Sequence, residues 1–271
     1  MQNSKPTVRA VILAVAIVLT MLPILFIVST SFKTFKDIAL VRFVFTPTLK
    51  NYVELFSTED FFLLIENSLI VALIATCATV AIGSLGAYSL ATFRYPRWID
   101  KFILTWLLLV RVLLPIVLVI PLYSIFDVLD LIDTRTALVL AYVTTNLPFA
   151  VWMMYDFFAS QPREILDAAK VDGCSPFGVF LRVALPLAGP GIAATAIFVC
   201  MLCWNDYIFA LILTNYRAMT LPVGMARLVQ QYNIKWGTIC AMATLYVLPI
   251  FIFSALVHEQ LIKGFTMEQL K

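Results

Sequence analysis

Charge is what this chain has least of. Lys, Arg, Asp and Glu make up 13% of its 271 residues, against 62% hydrophobic, where a soluble domain carries roughly 25% charged residues. A water-soluble core of this size could not hide so much apolar surface, so the shortage of charge makes lipid the solvent. The net charge of +3 is too small to suggest nucleic acid as a partner. Histidine is nearly missing: one residue, His258, rules out a His-Glu-x-x-His zinc site. There is no Gly-x-Ser-x-Gly elbow. The only Gly-x-x-x-x-Gly, Gly173 to Gly178, is followed by Val179 and not by the lysine of a phosphate loop. A chain without these elements cannot bind ATP in the usual way or run common hydrolytic chemistry. Cysteines number five, an odd count that sets no disulfide framework. Cys200-x-x-Cys203 has redox or metal spacing but lies in an apolar run with no second pair, and reads as packing.

What is present is a series of uncharged stretches. Ala10–Phe32, Asn67–Phe93, Thr136–Tyr155, Val183–Asn205 and Trp236–Val257 carry no charge, and Phe102–Phe126 carries only Arg111. About 20 residues cross the hydrocarbon as a helix, and none of these runs alternates as a β-span would. The expected fold is all-α, with six transmembrane helices near 10–32, 67–93, 102–126, 136–155, 183–214 and 236–257. No linker or repeat divides the chain, so one membrane domain over 1–271 is expected. The first run exceeds a signal-peptide core and lacks a small-x-small cleavage site, so it reads as an uncleaved span. An even span count puts both termini on one side. Arg94, Arg97 and Lys101 in a short loop favour the cytoplasm for them, against a weaker pull from Arg217, Arg227 and Lys235. The segment from Lys33 to Asp60 then lies outside, and its Phe35, Phe43, Phe45, Tyr52 and Phe56 imply that it packs or lies at the membrane interface. Asp127, Asp130 and Asp133 are expected to cap the third span.

The loop at 160–182 is a polar, helix-patterned island between two spans. Pro162 suits a first helical turn and Gly173 a C-terminal exit. Arg163, Asp167 and Lys170 recur as a polar stripe, while Leu166, Ala169 and Gly173, with Ala168 beside them, form a small and apolar one. Ser175-Pro176 reads as N-cap and first turn of a second helix carrying Phe177, Phe180 and Leu181. A helix–Gly turn–helix elbow of this kind can transmit a push between a partner and the membrane helices. The plainer alternative is an amphipathic linker lying on lipid.

These residues carry a resemblance. Asp167-Ala168-Ala169-x-x-x-Gly173, nine residues, then Val183-x-Leu185-Pro186 resembles the EAA loop of ABC-importer permeases, in both spacings. Leu147-Pro148-Phe149, Pro186-Leu187-x-x-Pro190 and Trp204-Asn205-Asp206-x-x-Phe209-Ala210-Leu211 resemble the carbohydrate-importing, maltose-type branch, so the likeness covers nearly the whole chain. Asp167 stands where the family has Glu, and Asp206 where the branch often has Glu. The resemblance implies a permease subunit of a binding-protein-dependent importer that forms half of the pathway for a sugar or oligosaccharide. It implies a second, different permease, two copies of a cytoplasmic ATPase that hold ATP and Mg, and an extracytoplasmic sugar-binding protein, all at a bacterial or archaeal inner membrane. The chain itself would hold no cofactor or metal and would not be an enzyme. Arg163, Glu164, Asp167, Ala168, Ala169, Asp172 and Gly173 become the candidates for ATPase coupling. The tail from His258 to Lys271 resembles those that reach into the ATPase pair, with Gly264 expected to end its helix.

Within the membrane, Arg111 must find a partner or face water, since leaving it unpaired there costs roughly 2.5–3.5 kcal/mol. A place on the pathway and a structural ion pair are both open. Trp204, Asn205 and Asp206 combine an aromatic face with hydrogen-bonding groups, as a sugar site does; a gate or packing role is the alternative. With Asn146 beside Leu147-Pro148 they complete the pathway candidates. Other classes fit less well. An importer of a non-sugar solute remains open, an ion-coupled transporter would need acidic residues at the bilayer midplane, and a membrane enzyme would need a nucleophile and base at depth.

Overall fold

The computed structural model describes residues 6–93, 95–229 and 234–268, and the described residues are helical with no strand. Fourteen helices follow in chain order. They are α1 Pro6–Ser31, α2 Phe35–Ala39, α3 Lys50–Phe56, α4 Glu59–Thr92, α5 Arg97–Val112, α6 Pro115–Val128, α7 Arg135–Ala159, α8 Arg163–Val171, α9 Pro176–Val179, α10 Leu185–Leu187, α11 Gly189–Trp204, α12 Ile208–Leu213, α13 Leu221–Val229 and α14 Trp236–Glu268. Helix is the necessary answer to this composition, because a helix pairs its own backbone groups where lipid cannot.

Four helical segments, Ala10–Ser31, Asp60–Thr92, Arg135–Ala159 and Trp236–Phe253, are long and apolar enough to cross a membrane alone. Two bent pairs raise the number to six if each is one span. The stretch expected as one helix over 102–126 is α5 and α6, meeting at 92°. Leu113 and Leu114 between them are extended, with ψ of 135° and 134°. Pro115 accounts for Leu114, since the residue before a proline is pushed out of the helical region. The stretch expected over 183–214 is also broken. Pro176–Leu187 meets Gly189–Trp204 at 78°, and α12 starts only after a second interruption at Asn205–Tyr207. Gly264 does not end the last helix, which runs through it to Glu268; positions 269–271 of the expected tail lie outside the described residues.

The described residues form two compact units, one of residues up to Phe62 with Gly224–Pro249, the other of Leu63–Val223 with those from Ile250 onward. In the first, α1 presents apolar side chains outward along most of its length. After α1 the chain loops out and returns. Thr48 N–H donates to the Phe32 carbonyl at 2.8 Å, and Asn51 Nδ2 donates to the carbonyls of Ser31 and Lys33 at 2.7 and 2.9 Å. Glu54 and Lys235 form an ion pair.

In the second unit α7 is central and packs against α5, α6, α11 and α12. Its buried positions include Leu138, Tyr142, Asn146, Ala150, Met154 and Phe158, every fourth residue, which is one helix face. Lipid offers no hydrophobic drive between helices, so close packing holds them. The Gly83-x-x-x-Ala87 pattern supplies it on α4: Ala87 is fully buried, and a Cβ on Gly83 would lie 3.1 Å from that of Ala150. Gly191 is tighter still, because a Cβ there would run into the ring of Phe157.

Candidate functional site

The segment between α7 and α11 folds as two short helices joined at a glycine. Helix α8 ends in a Schellman turn: Cys174 N–H donates to Ala169 O at 3.0 Å and Gly173 N–H to Lys170 O at 3.1 Å. Gly173 sits at φ +86°, a conformation that costs any other L-residue energy. Ser175 then caps α9, accepting the Gly178 amide at 3.1 Å, with Pro176 in the first turn. Pro162, expected inside the first turn of α8, is its N-cap. A five-residue π-helical turn, Phe180–Ala184, leads into α10.

The stripes of α8 face differently from the sequence expectation. Leu166 is buried, and it carries Arg163, Asp167 and Lys170 with it to one side. All four line a cavity of about 280 Å³ together with Ala91 and Thr92 of α4 and Gln161. Lys170 Nζ pairs with Asp167 Oδ1 at 2.7 Å. Gln161 Nε2 donates to Ala184 O at 2.8 Å and ties the elbow to its own exit. The opposite side is open: Glu164, Ala168 and Asp172 are exposed, Ala169 is half-buried, and Ile165 and Val171 stand out, Val171 at 87% exposure. Phe177 and Leu181 extend this apolar edge onto the second helix. The elbow thus offers an outward apolar rim with a carboxylate at each end, while its cations, themselves exposed, line the cavity beside buried Leu166.

Arg111, in the last turn of α5, has partners. Its Nη1 donates to Asn146 Oδ1 at 3.3 Å, and its guanidinium lies 5.2 Å from the Phe149 ring centre. Asn146 Nδ2 in turn donates to Tyr142 O at 2.9 Å and approaches Cys203 Sγ at 3.6 Å. One buried amide therefore joins α5, α7 and α11 just before the Trp204-Asn205-Asp206 break. Trp204 is 3% exposed, so its indole is a packing element in this conformation. Asn205 and Asp206 line an open depression of about 600 Å³ with Phe198 and Met201. Asn205 Nδ2 folds back to Met201 O at 2.8 Å. Asp206 Oδ1 accepts the Phe209 and Ala210 amides at 3.1 and 3.4 Å, capping the helix that restarts beyond the break.

A polar staple at the other end of the unit went unread in the sequence. Asp133 does not cap the third span as expected. It lies beyond it at φ +60°, and its carboxylate accepts backbone amides from a loop some eighty residues on: Asn215 at 2.9 Å, Tyr216 at 3.1 Å, Arg217 at 3.1 Å and Ala218 at 3.2 Å. Partial burial pushes this carboxyl up, but the four amides outweigh it and hold it below the ordinary carboxylate range. Asn67 Nδ2 donates to the Arg217 and Met219 carbonyls, both at 2.9 Å. Its Oδ1 accepts Arg135 Nε at 2.6 Å, and Arg135 pairs with Glu66 at 2.8 Å. Ser68 Oγ accepts the Leu221 amide at 2.8 Å. The available signal was a cluster of polar residues at the end of apolar runs, which says nothing of its partners.

Against known proteins, residues 79–266 match a family described as binding-protein-dependent transport system inner membrane component. A trehalose transport system permease protein of Mycobacterium tuberculosis is 33% identical, over 98% of this chain and 98% of its own length. A sulfoquinovosyl glycerol transport system permease protein of Agrobacterium fabrum is 31% identical, over 99% and 95%. The fold matches, with a TM-score of 0.81 over 96% of this chain and 99% of the other, a chain in the crystal structure of a bacterial ABC transporter involved in the import of the acidic polysaccharide alginate. Sequence identity there is 19%.

Proposed function

The chain belongs to the family of binding-protein-dependent transport system inner membrane components, and on that premise we propose that it is a permease subunit of an ATP-driven importer, forming half of the pathway for a sugar or oligosaccharide. The observation that carries the reading is the elbow: a glycine-locked pair of short helices whose outward rim of Ile165, Ala168, Val171 and Phe177 is exposed among the described residues. In the proposed assembly this rim seats on a cytoplasmic ATPase, with Glu164 and Asp172 exposed beside it, while Asp167 and Arg163 line the cavity on the other side of α8. The sugar class is supported by the relatives, named for trehalose and sulfoquinovosyl glycerol transport.

The full arrangement has six spans, each bent pair counting as one, in a single membrane domain with both termini in the cytoplasm. A different permease completes the pore, two ATPase copies bind ATP and Mg, and a sugar-binding protein delivers from outside. ATP-driven closure of the ATPase pair moves the elbow, and rigid helices carry that motion to the pathway, a conformational switch with no chemistry in this chain. Arg111, Asn146, Asn205 and Asp206 face the route in this reading, with Trp204 holding the break in shape. Arg111 bonded to Asn146 and stacked on Phe149 keeps a positive charge and an amide side by side at a helix break.

The test is ATP-driven uptake by the purified complex in proteoliposomes, using the sugar that co-purifies with it or stabilises it. Gly173→Pro cannot adopt φ +86° and removes the N–H bonded to Lys170. It should abolish uptake while the chain still inserts, and Ala168→Trp should do the same by blocking the rim. Normal ATPase association and uptake in both variants would sink the assignment.

A further inference from the structure

The loop between Lys33 and Lys50 in the first unit is folded inside out, and we infer that it is seated in the interfacial layer of the lipid bilayer. In a water-facing loop charged side chains are exposed and large apolar ones are covered. Here Lys33 is 5% exposed and Asp37 8%, while Phe43 is 82% and Val44 92% exposed. Phe35, Leu40 and Val41 are exposed too. The buried charges are accommodated by the loop and the end of α1. Lys33 Nζ lies 5.5 Å from the Phe26 ring centre and 5.0 Å from that of Phe45, an arrangement that is stronger when desolvated. Asp37 accepts Thr34 Oγ1 at 2.6 Å and pairs with Arg42 at 3.6 Å.

Three observations select lipid as the occupant of the exposed apolar face. The loop begins directly where α1 ends, and α1 turns Val11, Leu19 and Leu25 outward along a segment apolar enough to span, so the loop starts at the end of a helix able to cross the membrane. Over 33–50 the chain has four cations, Lys33, Lys36, Arg42 and Lys50, and one anion, Asp37, a net +3; Lys36, Arg42 and Lys50 are exposed. Aromatic and apolar tips beside exposed cations are the composition of membrane interfaces, where stems lie in the acyl boundary and charges reach the headgroups. Local turns satisfy much of its backbone: Ile38, Leu40, Val41 and Arg42 all donate within the loop. Val41 holds φ +50°, a costly conformation for a β-branched residue, and it does so where the chain swings Phe43 and Val44 outward. This inference needs only that the chain is a membrane protein and stands apart from the identity of the cargo.

A spin label on Val44→Cys, with the five native cysteines replaced by serine, reads the surroundings directly. The complete transporter is reconstituted in phosphatidylethanolamine–phosphatidylglycerol bilayers and probed with oxygen and a water-soluble nickel chelate. The expected result is a collision rate with oxygen above that with nickel, as for Leu19→Cys on α1 and opposite to Ser57→Cys beyond α3. Nickel access matching Ser57→Cys would mean water, and low access to both would mean a protein cover; either overturns the inference. If the cysteine-free chain does not assemble, a benzophenone at Phe43 in the otherwise native complex replaces it. Lipid adducts support the inference, and adducts to the second permease or the binding protein overturn it.

Discussion

The two ends of the second unit differ in how their loops are held. Where α4 and α7 approach the loop at 214–221, Asp133, Asn67, Arg135 and Ser68 spread a net of hydrogen bonds over three chain segments. At the opposite end the elbow is tied by Gln161 to Ala184, by buried Leu166 and by the close approach of Gly191 to Phe157, and it leaves an apolar rim uncovered. The first end is completed within the chain. The second leaves its rim bare among the described residues. A transport subunit has use for both, since motion delivered at one end reaches a pathway only if the other end does not give way.

The comparison breaks most severely at Gly191. Valine there overlaps Phe157, and overpacking of this kind costs about 1–3 kcal/mol. The elbow must shift from α7, so uptake should fall more steeply than the thermal stability of the purified complex. Unimpaired uptake by Gly191→Val would mean that the elbow takes its place from its partner alone.

Asp133 tests the stapled end. Asp133→Ala strips one acceptor from four amides and should lower stability by about 1–3 kcal/mol, seen as a drop in melting temperature. The pH response has a fixed sign. A carboxyl held below its ordinary value contributes stability above the ordinary carboxylate range, and that contribution fades as pH falls through the depressed value. The stability that Asp133 contributes should therefore be lost as pH falls below the ordinary carboxylate range, and Asp133→Asn should flatten that acid limb of the melting curve. An acid limb unchanged in Asp133→Asn would assign it to other groups.

The smallest effect is expected at Lys170. Its pair with Asp167 is exposed, and i,i+3 pairs contribute about 0.2–0.5 kcal/mol. Lys170→Ala should leave melting and uptake near native values. A large loss of uptake would show that the cations lining the cavity under α8 have a role beyond bracing, and would move the working face of the elbow from its rim to its underside.

Much of the elbow was legible in the sequence because its determinants are local. Gly173 and Ser175-Pro176 specify a turn and a cap through their own backbone preferences, and the structure places both there. Pro115 carried the signal for the break after Val112, yet the apolar run around it reads as a single span, since apolar composition is blind to direction. The facing of α8 was not legible. Arg163, Asp167 and Lys170 form a stripe at helical spacing, but spacing cannot say which side of a short helix meets the bundle. Leu166 decides that, by being the side chain for which the bundle has room. Asp133 was read as a cap for the neighbouring helix because its true partners, at 215–218, are close only through space.

The sequence by itself determined that this protein lives in lipid, that its spans are helices, and that a Gly-hinged elbow interrupts them. Solvent choice and backbone geometry depend on composition and on residues a few positions apart. The tertiary structure alone decided that Asn146 joins Arg111 to Cys203, that Asp133 holds a distant loop, that α8 buries Leu166 on the side of its cations, and that Lys33 is covered while Val44 is bare. Those outcomes depend on which surfaces meet, and a buried charge or an exposed valine is settled by its neighbours in space.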